Sequence, residues 1–272
     1  MLMNFDLVLW KAILVSLGLA VLFVTSLYIW PQKYHRNHPT CVKQRMFSAL
    51  LITILSPCYL ILFGDTSSEH YRLLDWIGIR DPLSALIPLS LTLLLFSGPL
   101  YLQYELKEGL LSDYSSYSDV VLIRNLIVAP ITEEIVFRSC LGPLLFKPLG
   151  WTATVIAQPL FFGVAHLHHG FELYRRGTPL LQVLATVLVQ TAFTSAFGAF
   201  STLTFLTTGS VIGPILCHSF CNCMGFPNLD SISDTSCPKV TWGVYLLGLV
   251  GFVVLTPYLL TCQSFSSLYC YI

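Results

Sequence analysis

Charge is what this chain is short of. Asp, Glu, Lys and Arg together make up 10% of its 272 residues, against about 25% in an ordinary soluble domain. Basic and acidic residues, 14 of each, cancel to a formal net charge of zero, and no basic stripe interrupts the apolar sequence. A nucleic-acid partner, which needs an electrostatic footprint, is therefore not expected. Nine cysteines are present without a CxxC pair, so neither a disulfide framework nor a structural zinc site is expected, and most should serve as small buried hydrophobes. HExxH and GxSxG are both missing. Their absence removes the helical zinc-protease arrangement and the serine elbow. No internal repeat, low-complexity tract or long linker divides the chain, which reads as one domain over residues 1–272.

What is present is apolar: 55% of residues are hydrophobic and the mean hydropathy is +0.73. Val8 to Trp30 is nearly unbroken apolar sequence, enough to cross a hydrocarbon core that takes roughly 20 helical residues. It has no basic leader or small-residue cleavage site and reads as an anchor rather than a signal peptide. Further spans are expected at about Phe47 to Phe63, Leu83 to Leu102, Val120 to Phe146, Trp151 to His166, Leu180 to Leu206, Val211 to Met224 and Thr241 to Leu260. The expected fold is all-α, a polytopic integral membrane protein in the lipid bilayer with about eight transmembrane helices. The fourth and seventh spans score weakly by hydropathy because one is charged and the other short.

Loop charge orients the chain, because Lys and Arg accumulate on the cytosolic side. Residues 31–45 hold Lys33, Arg36, Lys43 and Arg45 with no acid, whereas residues 64–82 set Asp65, Glu69, Asp75 and Asp81 against Arg72 and Arg80. The first loop is placed in the cytosol and the N-terminus on the opposite side. With eight spans, the loop holding His168, His169, Arg175 and Arg176 is cytosolic too.

The charged residues of the fourth span are concentrated in Glu133-Glu134-Ile-Val-Phe-Arg138. Ionisable groups are costly at membrane depth and mark function. Glu134 and Arg138 lie four apart on one helical face and can neutralise each other. Glu133, turned about 100° from its neighbour, lacks that cation and is left for proton transfer. Pro130, three residues earlier, removes a helix hydrogen bond and opens space beside it. The bland alternative has both glutamates pairing with Arg138 and Arg124 to hold helices together.

Two further segments weigh on the catalytic side. Phe161-Phe162-Gly163-Val164-Ala165-His166 ends the fifth span on a histidine, and Gly163 lets another helix come close. In the seventh span His218 and Asn222 lie four apart on one face, a pair of donors of the kind a tetrahedral oxyanion requires. Interhelical hydrogen bonding by His and Asn is the competing reading. Together the segments supply a carboxylate base, a histidine to position water and two oxyanion donors, an inventory for amide hydrolysis without a covalent enzyme intermediate. Cys217 and Cys221 neighbour His218 in sequence but point elsewhere around the helix, so a thiol nucleophile is not expected.

At these residues the chain resembles the type II CAAX prenyl endopeptidases, the Ras-converting branch of the glutamate-dependent intramembrane proteases. The runs that carry the likeness are Ala129-Pro130-Ile-Thr-Glu-Glu, Pro159-Leu-Phe-Phe-Gly-Val-Ala-His166-Leu-His-His169 and Ile212-Gly-Pro-Ile-Leu-Cys-His218-Ser-Phe-Cys-Asn222-Cys-Met-Gly-Phe-Pro227, within a catalytic half of about residues 119–227. The resemblance implies that Glu133 and His166 activate water, that His218 and Asn222 stabilise the oxyanion, and that Glu134 and Arg138 support the site. It also implies a protein of the endoplasmic reticulum membrane, with its active site open to the cytosol and no cofactor or metal. Its substrates would be farnesylated or geranylgeranylated CAAX proteins, such as Ras-like small GTPases, cleaved after the cysteine to release the last three residues. Two competitors stand beside it: a zinc-dependent membrane protease or metal carrier using Glu133, His166, His218 and perhaps His169, and a non-enzymatic membrane scaffold.

Overall fold

The computed structural model describes residues 2–3, 5, 7–31, 34–64 and 71–271; Lys33, Asp65 and Glu69, used above for orientation, lie outside them. In chain order the helices are α1 (Leu9–Ser26), α2 (Pro39–Phe63), α3 (Leu73–Ile77), α4 (Leu86–Leu95), α5 (Ser97–Leu106), α6 (Asp119–Ile123), α7 (Ala129–Glu134), α8 (Leu141–Ala165), α9 (His168–Arg175), α10 (Leu180–Thr208), α11 (Ile212–Met224) and α12 (Pro238–Leu259). Among the described residues the only strand pairing is a two-residue antiparallel bridge between β1 (Leu2–Met3) and β2 (Tyr71–Arg72). The fold is all-helical, as lipid demands of a chain that must satisfy its backbone polar groups within each segment.

Local chemistry explains the element boundaries. Pro39 occupies the first turn of α2, where its missing N–H is no loss, and the His38 ring accepts a hydrogen bond from the Thr40 amide at 3.3 Å. From Asp119 the chain stays helical to residue 149 but widens twice, at Arg124–Val128 and Ile135–Cys140, into π-helical turns. At Gly150 φ is +74°, a value that favours glycine, and α8 turns there. The expected fourth and fifth spans thus meet at one glycine.

Among the described residues five helices are long and apolar enough to cross a membrane: Leu9–Ser26, Pro39–Phe63, the stretch Leu73–Leu95, Leu180–Thr208 and Pro238–Leu259. They coincide with five of the eight expected spans. The other three are helical but fall short, for physical reasons: 119–149 carries Glu133, Glu134 and Arg138, the part of α8 after Gly150 is brief, and α11 has 13 residues. These are the helices that bear the polar cluster. The two ends of the chain meet on one face, where Phe5 and Tyr269 both pack on Trp76 with ring centroids 5.2 and 5.8 Å away, and Tyr269 Oη donates to the Trp76 carbonyl at 2.6 Å.

The same face corrects the reading of the cysteines. Cys262 and Cys270 form a disulfide in the segment after α12, and of the other seven only Cys41, Cys140 and Cys217 are the small buried hydrophobes expected of most, while Cys58 and Cys237 are exposed and Cys221 and Cys223 half-buried. Nothing in a spacing of eight residues advertised that bond; it depends on the C-terminal segment folding back over Leu206, whose carbonyl accepts from Ser267 Oγ at 2.6 Å.

α8 lies along α10, and the contact is tight at Gly163, where an added Cβ would collide with Ser195 Oγ and stand 3.3 Å from Thr191 Cγ2. The expected close approach at this glycine is met by α10. Gly163→Val should therefore push α8 from α10 and lower the yield of folded protein in detergent, while Gly243→Val, where a Cβ meets nothing within 4 Å, should not. On the outer side, Leu181, Leu184 and Leu188 of α10 and Leu246, Leu247 and Val253 of α12 are exposed. Apolar surface of that extent faces lipid or a partner rather than water.

Candidate active site

Two wide helical turns bracket the paired glutamates. A π-helical turn breaks the regular backbone ladder and re-aims carbonyl groups, and here those carbonyls are taken by side chains of neighbouring helices. In the first, the Asn125 carbonyl accepts from Asn222 Nδ2 at 2.9 Å and the Leu126 carbonyl from Ser219 Oγ at 2.5 Å. In the second, Gln158 Nε2 donates to the Phe137 and Arg138 carbonyls. The segment bearing Glu133 and Glu134 is thus tied to α11 before the pair and to α8 after it. Pro130, which has no N–H to give, sits at the start of α7 between them.

Glu134 is sealed in the protein. Its side chain and that of Arg138 are both 0% exposed, with Glu134 Oε2 at 3.0 Å from Arg138 Nε. The spacing of four residues forms the ion pair that the sequence suggested. Ser201 of α10 completes it, accepting from Arg138 Nε at 2.9 Å and donating to Glu134 Oε2 at 2.6 Å. The other carboxylate oxygen, Oε1, accepts from His218 Nδ1 at 2.8 Å. Glu134 therefore does more than neutralise an arginine: it orients an imidazole on α11, as a carboxylate does in any oriented histidine pair. Arg124 does not join either glutamate; its guanidinium bonds Asn125 Oδ1 at 2.8 Å and Asn37 Oδ1 at 3.2 Å.

Glu133 faces the other way and is reached from outside, its side chain 20% exposed. Its Oε2 stands 3.9 Å from His166 Nε2 and 3.9 Å from His218 Nε2. Both separations are too long for a direct hydrogen bond and suit an intervening water. His166 is fixed by its other nitrogen, since Nδ1 donates to the Phe162 carbonyl at 2.7 Å, which leaves Nε2 as a hydrogen-bond acceptor in the neutral ring. Phe162 is the floor of the site: its ring lies under the Arg138 guanidinium at 4.4 Å and against the His166 and His218 rings at 4.6 and 6.0 Å.

The structure thus brings together Glu133, His166, His218, Glu134 and Arg138 from α7, the second wide turn, α8 and α11. Asn222 is one turn beyond His218 on α11, and the single Asn125 bond leaves its amide a second N–H. Ser201, Gln158 and Phe162 were not picked out from sequence. Ser201 is one hydroxyl among many on α10, and its neighbours across 60 residues of chain are visible only in three dimensions. His169, considered as a fourth ligand, accepts instead from Arg36 Nη1 at 3.2 Å through its Nδ1. No group of three or more His, Cys, Asp and Glu side chains able to hold a metal occurs among the described residues.

Residues 116–224 match the family described as "Type II CAAX prenyl endopeptidase Rce1-like". Over 277 aligned residues the chain is 36% identical to a Homo sapiens protein named CAAX prenyl protease 2, covering 95% of this chain and 84% of the relative. The Arabidopsis thaliana protein of the same name is 31% identical, with 90% and 88% covered. A Schizosaccharomyces pombe relative named probable CAAX prenyl protease 2 is 28% identical, with 89% and 91% covered. No solved structure matches the chain.

Proposed function

The chain belongs to the type II CAAX prenyl endopeptidases, a family of membrane peptide hydrolases, and from that premise we propose that Glu133 and His166 activate the water that cleaves its substrate. One observation carries this reading: Glu133 Oε2 lies 3.9 Å from each of two imidazole Nε2 atoms, those of His166 and His218, while Glu134 is withdrawn to an ion pair with Arg138. Water held between Glu133 and His166 gives a proton to Glu133 as its oxygen bonds the scissile carbonyl carbon, and the carbonyl oxygen becomes an oxyanion. Glu133 then returns the proton to the leaving amine as the C–N bond breaks.

His218 and Asn222 are proposed to hold the oxyanion. The Glu134 carboxylate can only accept, so His218 Nδ1 carries a hydrogen; donation from its Nε2 to the oxyanion requires the doubly protonated ring. Asn222 supplies the N–H not engaged by Asn125. Loss of one such donor costs about 3 kcal/mol of transition-state stabilisation. Asn222→Ala should accordingly lower kcat by about a hundredfold or more at similar KM; a variant within a few-fold of the native protein would remove Asn222 from the site.

The proposed substrates are prenylated CAAX proteins, farnesylated or geranylgeranylated, with Ras-like small GTPases as examples; the products are the protein ending in prenylcysteine and a free tripeptide. A prenyl chain partitions into lipid by about 0.8 kcal/mol per buried CH₂, which favours entry from the bilayer. The catalytic portion is read as about residues 119–227 of a single domain, 1–272. Placement in the endoplasmic reticulum membrane follows from the family resemblance alone, whereas a site open to the cytosol is supported by charge: Arg36 of the basic first loop reaches His169, three residues beyond His166, so the positive loop and the site share a face.

The test is cleavage of a farnesylated CAAX peptide by purified protein with and without chelator. Undiminished tripeptide release after exhaustive chelation is the expected result. Loss of activity on chelation, regained with zinc, would instead favour metal-held water, and an inactive native protein would favour a scaffold.

A further inference from the structure

A second polar cluster lies next to the site and is not used by the hydrolysis just described. It is a cavity of about 190 Å³ lined by Arg36, His169, Glu172, Arg176 and Gln190, which shares the wall residues Arg36, Glu172 and Arg176 with a second of about 200 Å³ that adds Arg45 and Arg175. The two linings hold four arginines and one carboxylate. That carboxylate is already committed: Glu172 Oε1 accepts from Arg45 Nη2 and from Tyr28 Oη, each at 2.7 Å. Arg36 meets its other oxygen only at 3.6 Å and spends one N–H on His169. Arg176 is exposed and has no ion pair among the described residues. The walls therefore carry an excess of positive charge, on the side chain best shaped to grip a carboxylate through two parallel N–H bonds.

Its position says which anion it suits. The cavity wall begins at His169, whose ring centroid is 5.8 Å from that of His166, and His166 is 3.9 Å from Glu133. A substrate cut three residues before its end carries a free α-carboxylate at that end. Three residues extend about 10 Å, the scale on which Glu133, His166, His169 and Arg36 follow one another through separations of 3.9, 5.8 and 3.2 Å.

We infer that this arginine-lined cavity receives the C-terminal carboxylate of the substrate and so measures the length of the released tripeptide. The inference rests on the endopeptidase reading above. It makes the protein a reader of chain ends: a substrate with a longer tail, or with its carboxylate capped, fails to dock even when its prenylcysteine is seated. A lipid phosphate would offer the same anionic chemistry, and the experiment separates the two.

The measurement compares two farnesylated peptides of one sequence, one ending in a free acid and one in an amide, cleaved by full-length protein in phosphatidylcholine nanodiscs. Native protein should cleave the acid about ten- to a hundredfold better in kcat/KM, the range of a charge-assisted hydrogen bond, with the difference mainly in KM. Arg36→Gln and Arg176→Gln should each lose activity on the acid and keep it on the amide, bringing the ratio toward one. Retained amide cleavage certifies that each variant is folded, and exposed Arg176 provides the milder change should Arg36 prove structural. Equal cleavage of both peptides by native protein, or a ratio unchanged in both variants, would overturn the inference. Variants that keep the ratio but lose stimulation by added phosphatidic acid would overturn it in favour of a lipid headgroup. Failure of native protein on both peptides would instead remove the endopeptidase reading, and this one with it.

Discussion

Glu133→Gln is expected to abolish tripeptide release and to leave the protein folded. The substitution keeps shape and hydrogen-bonding capacity but replaces a carboxylate that can take a proton with an amide that cannot. General-base catalysis contributes about 10²- to 10⁴-fold to a rate, and here the same group must also return the proton, so the loss should reach the upper end of that range. Folding should be spared because Glu133 is no part of the buried pair: its nearest imidazole nitrogens are 3.9 Å away and its side chain is partly exposed. The check is single-turnover cleavage beside a thermal unfolding curve in detergent. Activity within tenfold of native, at native stability, would sink the glutamate mechanism. His166→Ala should match it in activity, since the Nε2 that faces Glu133 is lost while the partner of its Nδ1 is only the Phe162 carbonyl.

Glu134→Ala should fail differently, by loss of folded protein. Removing this carboxylate leaves the fully buried Arg138 without its counter-charge and strips Ser201 and His218 of an acceptor. Breaking one side of a buried ion pair costs about 3–5 kcal/mol, a large share of the 5–15 kcal/mol that holds an average domain together. Abundance in membranes and the midpoint of detergent unfolding should both drop well below those of Glu133→Gln. A second variant separates charge from packing: Glu134→Ala with Arg138→Met removes the orphaned cation and should recover part of the stability, though not the activity, because His218 still lacks the group that orients it. Native-like abundance for Glu134→Ala, or no recovery in the double variant, would refute this account.

The contrast between adjacent glutamates was legible early because helical geometry is local. A spacing of four from Glu134 to Arg138 puts them on one helical face, and a step of one from Glu133 to Glu134 turns them apart, whatever the rest of the chain does. The same holds for His218 and Asn222 on α11. Span positions were legible for a similar reason, since hydropathy sums over neighbours in sequence. Three of the expected spans fall short of the length and apolarity of a crossing helix among the described residues, because polar residues and brevity lower their hydropathy, and they are the ones that carry the cluster.

Other features were hidden because they join distant parts of the chain. Ser201 closes the Glu134–Arg138 pair from 63 residues beyond Arg138, and no spacing rule reaches that far. The wide turns at Arg124–Val128 and Ile135–Cys140 have no motif. They persist because Asn222, Ser219 and Gln158 occupy the carbonyls there, a tertiary effect on local backbone. The Cys262–Cys270 disulfide likewise depends on the C-terminal segment packing back over the end of α10.

The sequence by itself determined that this is a helical membrane protein, that Glu134 and Arg138 can neutralise each other, and that Glu133 is turned away from that pair. Each follows from composition or from the pitch of a helix. Only the tertiary structure decided that Glu133 faces two imidazoles at equal distance, that Glu134 also aims His218, and that an arginine-lined cavity opens next to them. Those relations depend on how α7, α8, α9 and α11 pack against one another, and packing is settled by contacts between residues far apart in the chain.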